Sequence, residues 1–150
     1  MIHIELQNAS SSTQLPTEAD LVRWAKAATN KDEAEIVVRV VDGEESAELN
    51  SHYRGKSGPT NVLSFPFEAP PGVETDILGD LVVCAPVVER EAREQGKDLP
   101  AHWAHMVVHG VLHLQGYDHI GEDEAVIMET EEIAILHGLG FPNPYEEQAS

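Results

Sequence analysis

Five of the eight histidines fall between His102 and His119, in the run His102-Trp103-Ala104-His105-Met106-Val107-Val108-His109-Gly110-Val111-Leu112-His113-Leu114-Gln115-Gly116-Tyr117-Asp118-His119. Residues four apart on a helix differ by roughly 40° in direction and about 6 Å in height. His109 and His113 therefore project side by side and can grip one ion. Gly116 can adopt a left-handed conformation, end the helix and turn the chain back, which brings His119 to the same ion. Three imidazoles leave one tetrahedral position open, as a catalytic zinc ion requires. Histidine pairs four apart also occur by chance on solvated helices; the turn glycine and the third histidine distinguish this run from such a pair. His102 and His105 extend the same side upstream, and His105 reads as a packing residue or a support for a ligand rather than a fourth ligand. Asp118 is suited either to orient a ligand imidazole or to cap the segment that follows.

The second stretch with chemical potential is Tyr53-Arg54-Gly55-Lys56, followed by Pro59-Thr60-Asn61-Val62-Leu63-Ser64-Phe65-Pro66. It places two cations close together in a chain with only nine Lys and Arg in total. A planar guanidinium beside a glycine turn can hold a phosphate through paired hydrogen bonds. The other reading is a solvated loop arginine.

These residues need a scaffold. Ile2-His3-Ile4-Glu5-Leu6 alternates apolar and polar residues as a half-buried strand does. The spacing of Leu21, Trp24, Ala25 and Ala28 predicts a helix over 17–29, capped by Thr17. Ile36 to Val41 is β-branched and reads as a strand that Asp42-Gly43 breaks, and helical spacing returns over Glu44 to Tyr53. A turn-rich loop over 54–61 leads into a short strand, Val62 to Phe65, and Pro70-Pro71-Gly72 marks an exposed turn. Leu78 to Cys84 is another strand, with Asp80 inside it, and Pro86 opens a helix that Gly96 ends. Leu99 to Gln115 is the longest apolar-periodic segment, with Trp103, Met106, Val107, Val111 and Leu114 as its packing stripe. A final helix over Glu122 to Leu136 offers Val126, Ile127, Ile133 and Leu136 for burial. The expected class is α+β: one domain over 1–150, a mixed sheet covered by helices, with the zinc site at the end of the long helix.

Bulk properties narrow the partners. Hydrophobic residues are 41% and charged residues 24%, ordinary values for a chain of 150 residues with a real core. The lone Cys84 excludes an intramolecular disulfide framework and suits a reducing compartment. No basic leader precedes an apolar stretch and no apolar run approaches a membrane span, so a cytoplasmic protein is expected. The formal charge of −18 opposes nonspecific polyanion binding over the whole surface. A nucleic-acid substrate would need a local basic site or a bound metal.

The spacing His109-x-x-x-His113-x-x-Gly116-x-x-His119 matches the ligand pattern of metzincin proteases, which place a glutamate base immediately after the first histidine. Gly110 stands there in this chain, which argues against ordinary peptide hydrolysis. Taken together, Leu49-Asn50 with Tyr53-Arg54, Pro59-Thr60-Asn61-Val62-Leu63-Ser64-Phe65-Pro66, Gly79-Asp80 and His109-Gly110-x-Leu112-His113-Leu114-x-Gly116-Tyr117-Asp118-His119 closely resemble the YbeY family of bacterial endoribonucleases and ribosomal RNA maturation factors. The resemblance implies one zinc ion on His109, His113 and His119, and Arg54 as the functional arginine near it. It further implies cleavage of single-stranded RNA, maturation of the small-subunit ribosomal RNA 3′ end and ribosome quality control. The small ribosomal subunit, and a ribosomal protein or assembly GTPase, are the partners it suggests. Ser57 departs from the pattern, since close relatives often carry Asp after the Lys. The general base stays open between Asp80, Asp118 and a ribose hydroxyl. The rival readings are a ribosome-assembly factor with a structural zinc, and a metal hydrolase of another phosphoester or amide.

Overall fold

Two strands of alternating burial and two with continuous buried runs build a four-stranded sheet in the computed structural model, which describes residues 1–117 and 121–145. The strands are β1 (Ile2–Asn8), β2 (Ala34–Val41), β3 (Val62–Pro66) and β4 (Ile77–Cys84). Their spatial order is β1-β2-β4-β3. The pairs β1/β2 and β2/β4 are parallel, whereas β3 runs antiparallel to β4 and forms an edge. Five helices are described: α1 (Glu18–Ala28), α2 (Gly43–Arg54), α3 (Ala85–Gln95), α4 (Leu99–Leu114) and α5 (Glu122–Gly138). The class is therefore α+β with a mixed sheet covered by helices, as expected. Among the described residues no helix is long and apolar enough to cross a membrane.

Local signals set the helix ends. The Thr17 side chain accepts from the Asp20 N–H and the Asp20 carboxylate accepts from the Thr17 N–H, a reciprocal cap for α1. Pro86 lies in the first turn of α3, and Gly96, at φ 65°, closes it.

The two sheet faces are covered differently. Ala34, Ile36, Val38 and Val40 of β2, with Leu81 and Val83 of β4, join Leu21 and Trp24 of α1 and Trp103, Val107 and Val111 of α4 in the main core. On the opposite face Val41, Leu63, Val82, Cys84 and Val87 form a smaller cluster, against which Leu49 of α2 and Phe65 pack. The five residues expected to form the α4 stripe are buried, but so are His102, Ala104, His105, Val108, Gly110 and Leu112. A helix packed against the sheet, α1, α3 and α5 is enclosed on almost every side.

The last helix departs from expectation. Val126 and Ile127 are exposed, while Met128, Glu132 and Leu136 are its buried residues. The inward stripe thus runs at four-residue spacing through a glutamate. The chain beyond α5 folds back, with the Phe141 ring edge-on to Trp24 at 6.3 Å.

Candidate metal centre

His109 and His113 sit in the last two turns of α4, the most enclosed helix, and both remain only partly buried. Their Nε2 atoms face each other at 3.1 Å. Helical spacing alone produces this: the rings are 4.6 Å apart between centroids. Beyond them Gly116 has φ 99° and the Tyr117 N–H returns to the Leu112 carbonyl at 3.1 Å, so the helix ends at the expected glycine. His119 and Asp118 lie outside the described residues.

On its other side His109 meets a buried carboxylate. Its Nδ1 lies 2.7 Å from Oε1 of Glu132, a residue with no solvent exposure. The same oxygen is 3.3 Å from His105 Nε2, and Oε2 accepts from the Tyr145 hydroxyl at 2.5 Å. Burial pushes the Glu132 carboxyl upward, but the hydrogen bonds from His105, His109 and Tyr145 outweigh it and bring the value down to about 2. Burial lowers His105 more than Glu132 raises it, and burial together with Glu132 raises the Tyr145 hydroxyl. His105 thus shares a Glu132 oxygen with His109. Glu132 and Tyr145 were not anticipated. A signal for Glu132 exists in its i,i+4 alignment with Met128 and Leu136, two apolar residues that bracket a charge.

Gly110 has a packing reason to lack a side chain. A Cβ there would lie 2.7 Å from Leu81 Cδ2 and 3.4 Å from Ser64 Oγ. The position faces the sheet, so a side chain at Gly110 would have to displace Leu81. Close approach brings Ser64 Oγ within 3.3 Å of the Gly110 carbonyl, to which it donates, and ties edge strand β3 to α4 beside His109. Leu81 faces α4, and the adjacent Asp80 is exposed. Its neighbour Gly79 (φ 141°) is required by the turn of β4 under β3, since a Cβ would fall 2.2 Å from the Phe65 carbonyl oxygen.

Arg54 is the last residue of α2 and is exposed, followed by left-handed Gly55. The ring of the adjacent Tyr53 packs edge-on to Phe65, at 5.0 Å, on the α2 face of β3. The edge strand thus stands between the end of α2 and the α4 histidines, and among the described residues Arg54 makes no ion pair. The following loop is pinned. Ser46 Oγ bonds both the N–H and the carbonyl of Thr60 at 3.0 Å, and Asn50 Nδ2 donates to the Gly58 carbonyl at 2.9 Å. Asn61 Nδ2 donates to Glu91 at 3.2 Å, and Glu91 meets His102 Nε2 at 3.0 Å.

The profile of the family described as endoribonuclease YbeY matches residues 5–140. The chain belongs to the YbeY family. It is 68% identical over 147 residues to the endoribonuclease YbeY of Methylococcus capsulatus, covering 98% of this chain and 97% of that protein. The solution structure of TM1509 from Thermotoga maritima matches with a TM-score of 0.55 and 27% identity, over 97% of this chain and 99% of that one.

The His109–His113 pair fits two ligand positions of the zinc ion that the family resemblance implies. Tetrahedral zinc with bonds of 2.0–2.1 Å places ligand nitrogens about 3.3 Å apart, close to the 3.1 Å between the two Nε2 atoms. Among the described residues no cluster of three His, Cys, Asp or Glu completes a metal site. The third expected ligand, His119, is outside that set.

Proposed function

We propose that this YbeY-family chain is a zinc-dependent endoribonuclease that cuts single-stranded RNA in the cytoplasm, in maturation of the small-subunit ribosomal RNA 3′ end and in ribosome quality control. The observation that carries the reading is the facing Nε2 pair of His109 and His113 in a chain 68% identical to an endoribonuclease. His119 is the third proposed ligand. A zinc ion held there supplies Lewis acidity toward a phosphoryl oxygen and a water of lowered pKa at neutral pH. Arg54, at the mouth of the pinned loop, binds the phosphate and stabilises its charge during attack. Gly110 favours phosphoester over peptide chemistry, because it stands where the similarly spaced proteases carry their glutamate base. Asp80, Asp118 and a ribose hydroxyl are the candidate proton acceptors. The small ribosomal subunit, with a ribosomal protein or an assembly GTPase, is the proposed assembly partner.

The test pairs metal analysis with cleavage. Rigorously repurified protein should hold about one zinc per chain, cleave single-stranded RNA and leave casein intact. His113→Ala should lose most of the zinc and the RNA cleavage together. Equal residual cleavage in both preparations would assign the activity to a contaminant. Ribosome association surviving in that case would favour an assembly factor with a structural zinc.

A further inference from the structure

Glu132 is an unusual residue to find in the middle of a helix–helix interface. It has no solvent exposure, yet among the described residues its partners are two imidazoles and a phenol, with no lysine or arginine. A carboxylate buried without a matching cation depends on its hydrogen-bond donors to stay ionised. An ionised carboxylate can only accept hydrogen bonds. The 2.7 Å contact therefore requires the proton of a neutral His109 on Nδ1, which leaves the lone pair on Nε2, the atom that faces His113 at 3.1 Å. Glu132 is itself fixed from behind. Tyr145 reaches in from the C-terminal turn to Oε2, and its ring packs edge-on to His105 at 5.3 Å, while His105 supports Oε1.

We propose that Glu132 is the positioning residue of the metal centre: it holds His109 in the ligating tautomer and supplies the negative charge that pairs with a bound divalent cation, with Tyr145 and His105 holding Glu132 in place. This rests on the metal-site reading of His109 and His113 given above. Carboxylate partners of ligand imidazoles commonly change metal affinity by 10–100-fold when altered. The carboxylate comes from α5 and its support from the chain after α5, so this tail contributes to the metal centre without touching the ion.

Glu132→Gln is nearly isosteric: its amide oxygen can accept from His109 and its amide nitrogen can donate to the Tyr145 oxygen. If the role were only to hold α5 against α4, the variant would change stability and leave metal binding alone. The positioning role adds an effect on the metal. Apo Glu132→Gln should fold, with an unfolding midpoint lowered as hydrogen bonds to the carboxylate are weakened, while its zinc dissociation constant rises at least about tenfold. Long-range proton–nitrogen NMR of the apo protein reads the tautomer directly. Wild-type His109 should be protonated at Nδ1, and Glu132→Gln should show a larger share of the Nε2-protonated form. Tyr145→Phe, which removes one hydroxyl from a partly exposed ring, should weaken zinc several-fold in the same direction and decides the matter if Glu132→Gln does not fold. Wild-type His109 protonated at Nε2, or zinc affinity within twofold of wild type in the folded variants, would overturn the proposal. His113→Ala separates the two levels. If it too retains wild-type affinity, the metal-site reading fails; if it alone loses zinc, that reading stands and the role of Glu132 falls.

Discussion

At the scale of single residues, the two groups proposed to carry the chemistry are held in opposite ways. His109 and His113 project from a helix so enclosed that their backbone has little freedom, and their rings meet across one turn. Arg54 is at a helix end, exposed, with a left-handed glycine behind it. A group that closes on a phosphate gains from such latitude, whereas a metal ligand does not. The difference predicts separable phenotypes. Arg54→Ala removes no core contact and no metal ligand, so it should keep the zinc and the unfolding midpoint of wild type. RNA processing should fall by roughly tenfold or more as a charge-assisted contact is lost in the transition state. Single-turnover cleavage with metal analysis of the same preparation checks this; unchanged cleavage with intact zinc would return Arg54 to a solvated surface residue.

At the scale of elements, polar bridges hold the segments around the site in register. Asn61, Glu91 and His102 connect the end of the 55–61 loop to α3 and α4. Burial pushes the Glu91 carboxyl up, but hydrogen bonds from His102 and Asn61 hold it below the ordinary range. A carboxyl lowered on folding adds stability above its unfolded value, about 4.3, and loses it as pH falls through the lower folded value. Glu91→Gln should therefore flatten the acid side of the stability–pH curve, measured by urea unfolding between pH 7 and 3. A curve parallel to wild type would show that the bridge contributes nothing. How far the elements could be read from sequence follows the same physics. β1 and α1 are legible because one-sided burial imposes a strict period and Thr17 marks a start, and β2 and β4 because their apolar runs are rich in β-branched residues. The facing of His109 and His113 is legible because helix geometry alone sets it. The buried face of α5 was not, because the reading sought apolar residues and so chose Val126 and Ile127, when a charged residue occupies the inward line. Partners such as Tyr145, brought in by tertiary folding from outside the helix, leave no local period to detect.

At the scale of the whole molecule, the chain must bring a polyanion to a body of charge −18. The nine lysines and arginines are too few for a broad basic footprint, and only Arg54 and Lys56 lie on the loop that leads into edge strand β3. Such a protein has to bind RNA through a small number of phosphate contacts. Each phosphate neutralised on a single strand contributes about −0.7 to the slope of log affinity against log salt. Two cations therefore give a slope of about −1.4, and added salt also screens the repulsion from the acidic surface, which flattens it further. Fluorescently labelled single-stranded RNA, titrated with zinc-depleted wild-type protein over a range of monovalent salt, should show a slope between 0 and about −2. The RNA is retained uncut in that preparation, so binding is read apart from chemistry. A slope of about −4 or steeper would mean a basic surface that these residues do not form, and recognition through Arg54, Lys56 and the metal centre would then be wrong.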